Sequence, residues 1–233
     1  MALYSGMKNL IDSLLPMAPQ KLPAREQTRQ EELFNSLSHG FAFIAAIVAT
    51  PYLLTEVAQH RDSRYVIGAG IFAASIILLY FFSACYHALP HGKSKRVFRV
   101  IEHSAIFVLI AGTYTPLTLG VLRGGLGWTL LGLIWALAIL GIVLKFLHRL
   151  SHPIASTGLY LLMGWLIIAA INPLYLNYSL PGLYWLVAGG VAYTVGVAFF
   201  ATDSRIRYGH FIWHLFVMSG TSCHYLAVLA YAR

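Results

Sequence analysis

Charge is scarce in this chain of 233 residues. Asp, Glu, Lys and Arg together make up 10% of it, against about 25% in a soluble globular domain. That shortage excludes a disordered chain and a soluble enzyme of ordinary composition. Cysteine is scarcer still. Cys85 and Cys223 both lie in apolar runs and form neither a Cys-x-x-Cys motif nor a disulfide framework. Acidic residues number 8 against 16 Lys and Arg, a net charge of +8. The basic residues sit in short breaks between apolar runs, where they read as topology signals. No nucleic-acid partner is expected. No lysine follows Lys145, which excludes a retinal-type pump with a Schiff-base lysine in its last span. There is no low-complexity segment and no inverted repeat of the transporter kind.

What the chain does have is apolar length. Hydrophobic residues make up 58%, and seven runs approach the roughly 20 residues a membrane helix needs. They cover 39–58, 65–88, 102–122, 125–145, 154–172, 182–202 and 210–231. The expectation is an all-α seven-helix membrane bundle. Asn172-Pro173 and Pro181-Gly182 are expected to break the stretch between spans five and six, with Asn177, Tyr178 and Ser179 in a short loop. With the N-terminus inside, 12 of the Lys and Arg residues fall on the inner side. Four, Arg61, Arg64, Arg123 and Arg233, fall on the outer side. This bias predicts a cytoplasmic N-terminus and an external C-terminus.

Residues 1–30 are expected to form a separate N-terminal element ahead of a membrane domain over 31–233. Lys8 and Asp12 interrupt any apolar core of a signal peptide. Leu3, Met7, Leu10, Ile11, Leu14 and Leu15 share one helical face, so 2–15 reads as a helix on the inner membrane surface or as a disordered tail. Pro16, Pro19 and Pro23 make 16–24 a linker.

Ionisable residues at membrane depth are costly and therefore carry functional weight. Here they cluster. His87 ends span two, Glu102 and His103 open span three, and His210 and His214 open span seven. Glu31, Glu32, Asn35 and His39 lead into span one. With the N-terminus inside, all of them reach the inner part of the membrane. His210 and His214 stand at i and i+4 on one helical face, a spacing that suits one zinc ion. Phe211 occupies the place of the glutamate in His-Glu-x-x-His, so a base must come from elsewhere. Glu102 is the candidate general base. His87 can supply a third nitrogen, and Ser83, one turn earlier, can orient it or a bound water. Three histidines plus one open position is a catalytic-type zinc set, and zinc lowers the pKa of its water to about 7.

The remaining groups suit quieter roles. His91, His148 and His152 read as interfacial or solvated, and His60 lies in an outer loop. His103 is expected in a helix–helix hydrogen bond. His224 lies too far along its helix to share the metal and reads as a buried, hydrogen-bonded residue, with a polar cavity as the second reading. Glu31, Asn35, Ser38 and His39 share a face and read as groups closing the site from below. Asp203, Arg205 and Arg207 read as an inner topology loop with a local ion pair. Pro116 is expected to bend span three, and Gly164, Gly189, Gly190 and Gly196 to allow close helix packing.

The signatures Glu31–Gly40 (E-E-L-F-N-S-L-S-H-G), Ser83–His91 (S-A-C-Y-H-A-L-P-H), Glu102–Pro116, Tyr160–Trp165 and His210–His224 occur in an order that resembles the hemolysin III proteins. These are the bacterial branch of the progestin and adipoQ (adiponectin) receptor family. The likeness covers roughly residues 30–231. It implies a seven-helix bundle with its N-terminus inside. It also implies a zinc ion near the inner face, held by His87, His210 and His214, with Ser83 and Glu102 in the same site. The receptor branch and its distant ceramidase relatives suggest hydrolysis of lipid amides. The bacterial branch carries a cytolytic name and a link to membrane-lipid homeostasis. The family usually has aspartate where this chain has Glu102; the longer arm could bring the carboxylate to the metal itself.

The leading expectation is therefore a zinc-dependent hydrolase of lipid amides or esters in the bacterial inner membrane, with membrane lipids as partners. The competing one is a non-enzymatic cytolysin or lipid-state sensor with structural zinc.

Overall fold

A capping box starts the first helix. The Thr28 hydroxyl accepts from the Glu31 N–H at 3.3 Å, and the Thr28 N–H donates to Glu31 Oε2 at 2.9 Å. Two orphan donors are satisfied in one exchange. The structure, a computed structural model, describes residues 25–150 and 152–232. The helix expected over 2–15 and the linker over 16–24 lie outside the described residues.

From that cap α1 runs over Arg29–His60, starting well ahead of the apolar run. Next come α2 (Ser63–Ala88) and α3 (Lys93–Pro116), the latter ending in a π-helical turn over Leu117–Val121. Then follow α4 (Gly125–Phe146), α5 (Pro153–Trp165), a 3₁₀ turn (Leu166–Ala170) and α6 (Ile171–Asn177). The last two are α7 (Leu180–Thr202) and α8 (Gly209–Ala232). The segment from α5 through α6 acts as one span, so among the described residues seven spans are long and apolar enough to cross a membrane. No strand occurs among the described residues. We call the end of the bundle where α1 starts the proximal end.

The first half of α1 shows why this sequence suits a bilayer. Its buried polar side chains are Glu31, Asn35 and His39, joined only by the small Ala42, while Leu33, Leu37, Phe41 and Ile44 are exposed. In water that arrangement would be inverted. In lipid the apolar side faces out and the polar side must find partners inside the bundle.

Span five departs from expectation. The break falls at Leu166–Ala170, and Asn172-Pro173 continues as helix. Pro173 lies in the first turn of α6, where a missing N–H costs little. The Tyr114 hydroxyl of α3 repairs the break: it donates to the Met163 carbonyl at 2.7 Å and accepts from the Ile167 N–H at 2.7 Å. The turn into α7 falls at Tyr178 and Ser179, where the Ser179 hydroxyl accepts from the Gly182 N–H at 3.3 Å.

Two apolar clusters knit the bundle. One includes Tyr65, Phe72, Leu117, Leu174 and Val228. The other joins α3, α4 and α5 through Phe107, Ala111, Tyr114, Ile134, Ala138 and Met163. Small residues let helices close up at several points. A Cβ on Gly112 would lie 2.3 Å from Ser75 Oγ, and one on Gly196 would lie 2.7 Å from Trp213. Gly189 likewise meets His224, whereas Gly164 and Gly190 have no such close neighbour. The last two turns of α8 are tied down from outside. Tyr65 donates to the Val228 carbonyl at 2.8 Å and Tyr178 to the Ala227 carbonyl at 2.6 Å. Arg61 caps the Tyr231 carbonyl.

Candidate metal centre

Three imidazoles from two helices meet at the proximal end. His87 lies in the last turn of α2, and His210 and His214 in the first turns of α8. Their ring centroids are 5.0 Å (His87–His210), 5.0 Å (His87–His214) and 4.9 Å (His210–His214) apart. One ring nitrogen of each lies within 4.8 Å of the others.

The outward nitrogens decide what the inward ones can do. His87 Nδ1 donates to Glu32 Oε2 at 2.7 Å and His210 Nδ1 to Asp203 Oδ2 at 2.9 Å. His214 Nδ1 lies 3.2 Å from the Asn35 carbonyl and 3.1 Å from Ser38 Oγ. The Ser38 proton already goes to the Asn35 carbonyl at 2.9 Å, so Ser38 acts as an acceptor toward His214. Each ring thus spends its proton on an oxygen outside the cluster. Nε2 of all three is buried and has no hydrogen-bond partner among the described residues. An unsatisfied buried acceptor costs about 1–3 kcal/mol. Three aimed at one another, each backed by an acceptor on Nδ1, match the donor set and outer support of a histidine-bound metal. The residues fit a metal ion.

The support runs through the α7–α8 turn. The carboxylate of Glu31, buried at the start of α1, accepts from Arg25 Nη1 at 2.6 Å, Arg25 Nη2 at 2.7 Å and the Tyr208 N–H at 2.8 Å. Tyr208 holds a positive φ of 59°. Glu31 therefore pins the turn that carries Asp203, and Asp203 holds His210. The same carboxylate raises the Arg25 guanidinium above its ordinary pKa. Glu31 reaches the cluster through this turn, without touching an imidazole.

Several residues take other places than the sequence suggested. Ser83 is fully buried, and its hydroxyl meets His39 Nδ1 at 2.7 Å instead of His87. His39 stacks on His214, with centroids 3.6 Å apart and planes 5° from parallel, and its Nε2 is also unpartnered. Asn35 serves through its backbone carbonyl; its side-chain amide donates to Gln27 at 2.6 Å. Glu102 is buried, with Oε2 2.9 Å from His103 Nδ1. The contact between helices near His103 uses its carbonyl, which accepts from Tyr160 at 2.9 Å. His224, by contrast, is where it was expected: its Nε2 meets the Leu186 carbonyl at 3.2 Å, and it is not one of the converging imidazoles.

The sequence reading missed Glu32 and Asp203 as partners of the imidazoles. Glu32 looked like its neighbour Glu31, and Asp203 like a loop charge. The spacing from Asp203 to His210 was the one local signal available.

Beside the cluster lies a cavity of about 170 Å³. Its walls come mainly from α3, α5, α6, α7 and α8 and are largely aliphatic, with Ile106, Leu109, Leu161, Ile168 and Val187 among them. Glu102 and His39 line it, and none of the three converging imidazoles is in that lining. An apolar slot with a few polar groups is the usual form of a small-molecule site.

Residues 27–225 match the family described as haemolysin-III related. The chain is 42% identical to "Hemolysin-3" of Bacillus cereus over 91% of this chain and 96% of that one. It is 41% identical to "Hemolysin-3 homolog" of Bacillus subtilis (strain 168), over 88% and 95%. A more distant likeness, 29% over 88% and 85%, is to the human "Monocyte to macrophage differentiation factor".

Proposed function

The chain belongs to the haemolysin-III related family, and from that premise we propose that it is a zinc-dependent hydrolase of lipid amides or esters in the bacterial inner membrane. The observation that carries the reading is the convergence of three buried, unpartnered Nε2 atoms next to an apolar cavity. His87, His210 and His214 are the residues that would hold zinc. When bound there, zinc supplies Lewis acidity and a nucleophile at neutral pH. The cavity takes the acyl chain and excludes water. Glu102 lines the same cavity; with Oε2 facing His103, its Oε1 is the atom that accepts a proton as general base. His39, held through Nδ1 by Ser83, is another polar group on the cavity wall and orients the substrate's polar end.

The 12 to 4 distribution of basic residues supports an N-terminus in the cytoplasm. The centre then lies in the inner leaflet, and lipid enters sideways. The test compares metal-stripped with zinc-reloaded protein across a panel of ceramides and acyl lipids. Zinc-dependent release of fatty acid is the expected result; equal turnover in both overturns the reading.

One observation favours a second reading. The three imidazoles are absent from the cavity lining, as suits a structural metal in a non-enzymatic cytolysin or lipid-state sensor. The printed name "Hemolysin-3" of the Bacillus cereus relative agrees with the cytolytic form. In that case the protein releases dye from liposomes, and His87→Ala acts through lost stability.

A further inference from the structure

Lys95 looks like a membrane-topology charge, yet it is 7% exposed. Its ammonium has three protons and meets three acceptors. Nζ donates to the Tyr86 carbonyl at 3.1 Å and the Leu89 carbonyl at 3.1 Å, and it pairs as an ion with Glu32 Oε1 at 3.0 Å. The other oxygen of the same carboxylate, Oε2, holds His87 Nδ1 at 2.7 Å. One carboxylate from α1 is thus divided between a lysine of α3 and a histidine of α2.

We infer that Lys95 is a positioning residue for the metal centre, acting on His87 through Glu32. The inference rests on the metal reading above. Its basis is geometric. The two carbonyls fix Nζ against the end of α2, where last-turn carbonyls lack intrahelical partners. Nζ in turn fixes Oε1, which leaves Oε2 one orientation, toward Nδ1. Glu32 has other partners within its surroundings. It lines a polar concavity of about 450 Å³ together with Arg96 and Arg99, and neither guanidinium has a hydrogen-bonded or ion-paired partner among the described residues. Without Lys95 the carboxylate is free to turn toward these arginines and away from His87. A simple cap of α2 would need only the carbonyls; the third contact is the one that reaches the metal centre.

The experiment measures zinc affinity of the detergent-purified full chain by competition with a chelator, alongside thermal unfolding without metal. The variants are Lys95→Met, Lys95→Gln, Lys95→Arg, Glu32→Gln and the double variant Glu32→Gln/Lys95→Gln. Losing an outer partner of a metal-bound histidine weakens metal binding by about 10–100-fold. Lys95→Gln and Lys95→Met are expected to show a loss of that size, and Lys95→Arg to recover most of it. The double variant should bind zinc no more weakly than Glu32→Gln alone, because Lys95 acts only through that carboxylate. Lys95→Gln keeps a donor for the carbonyls and serves if Lys95→Met fails to fold. Unchanged zinc affinity in folded Lys95→Gln, with only the unfolding temperature lowered, overturns the inference. So does a double variant whose loss is the product of the two single losses. A wild-type chain that binds no zinc overturns the metal reading itself, a result distinct from either.

Discussion

His39 and His214 lie face to face, centroids 3.6 Å apart and planes within 5° of parallel. His39 is in turn fixed by Ser83 at 2.7 Å, so the ring of His214 is held on its flat side as well as at Nδ1. Replacing His39 by Phe keeps the stack and loses the Ser83 bond; replacing it by Ala loses both. His39→Phe should therefore retain more zinc than His39→Ala. Zinc per chain, from elemental analysis of matched preparations, checks this, and equal retention would remove the stack from the account.

The cluster itself makes the first-order prediction. Wild-type protein is expected to carry about one zinc per chain, in line with a three-histidine site. The His210→Ala/His214→Ala variant should carry none. Retention of metal by the double variant would place it elsewhere in the molecule.

Asp203 is the partner of His210 Nδ1 at 2.9 Å. Asp203→Ala should weaken zinc binding by about 10–100-fold. Asp203→Asn, whose amide oxygen can still accept, should lose less. Chelator competition orders the three proteins, and an Asn variant worse than Ala would contradict an orienting role.

Tyr65 offers a control at the other end of the bundle. Its hydroxyl donates to the Val228 carbonyl at 2.8 Å. Tyr65→Phe should cost about 1 kcal/mol, in the range of hydrogen bonds between membrane helices, and leave zinc content unchanged. Thermal unfolding in detergent reads the first effect and elemental analysis the second.

Gly112 tests the packing of α2 on α3. A methyl group there would come within 2.3 Å of Ser75 Oγ, so Gly112→Ala should destabilise the fold by about 1–3 kcal/mol. An unfolding temperature equal to that of the wild type would show that the helices separate at little cost.

The seven spans were readable because apolar length is a property of neighbouring residues, and so was the His210/His214 pair at helical spacing. The break in span five was not readable. Leu166, Ile167, Ile168, Ala169 and Ala170 carry no turn signal, and the hydroxyl that repairs their backbone comes from Tyr114, on another helix. The polar start of α1 was readable in part, since Glu31, Asn35, Ser38 and His39 share a helical face, although its capping pair lies outside the apolar run. Around the histidines, residue type pointed to the right cluster, while the partner of each Nδ1 depended on tertiary contact. Glu32 and His87 are 55 positions apart, and nothing local chooses Glu32 over Glu31. Ser83, one turn from His87, pairs with His39 because the packing of α1 on α2 brings that ring closer.

The helix that carries two of the three converging imidazoles is fastened at both ends. At its start, Glu31 grips the Tyr208 N–H; at its finish, Tyr65, Tyr178 and Arg61 hold the last carbonyls. These contacts oppose both sliding and swinging of the rod. It is the stator of the bundle. The wall opposite, α5 and α6, has sparser packing and a spliced backbone. Widening of the cavity is therefore expected from that wall, leaving the histidines where they stand.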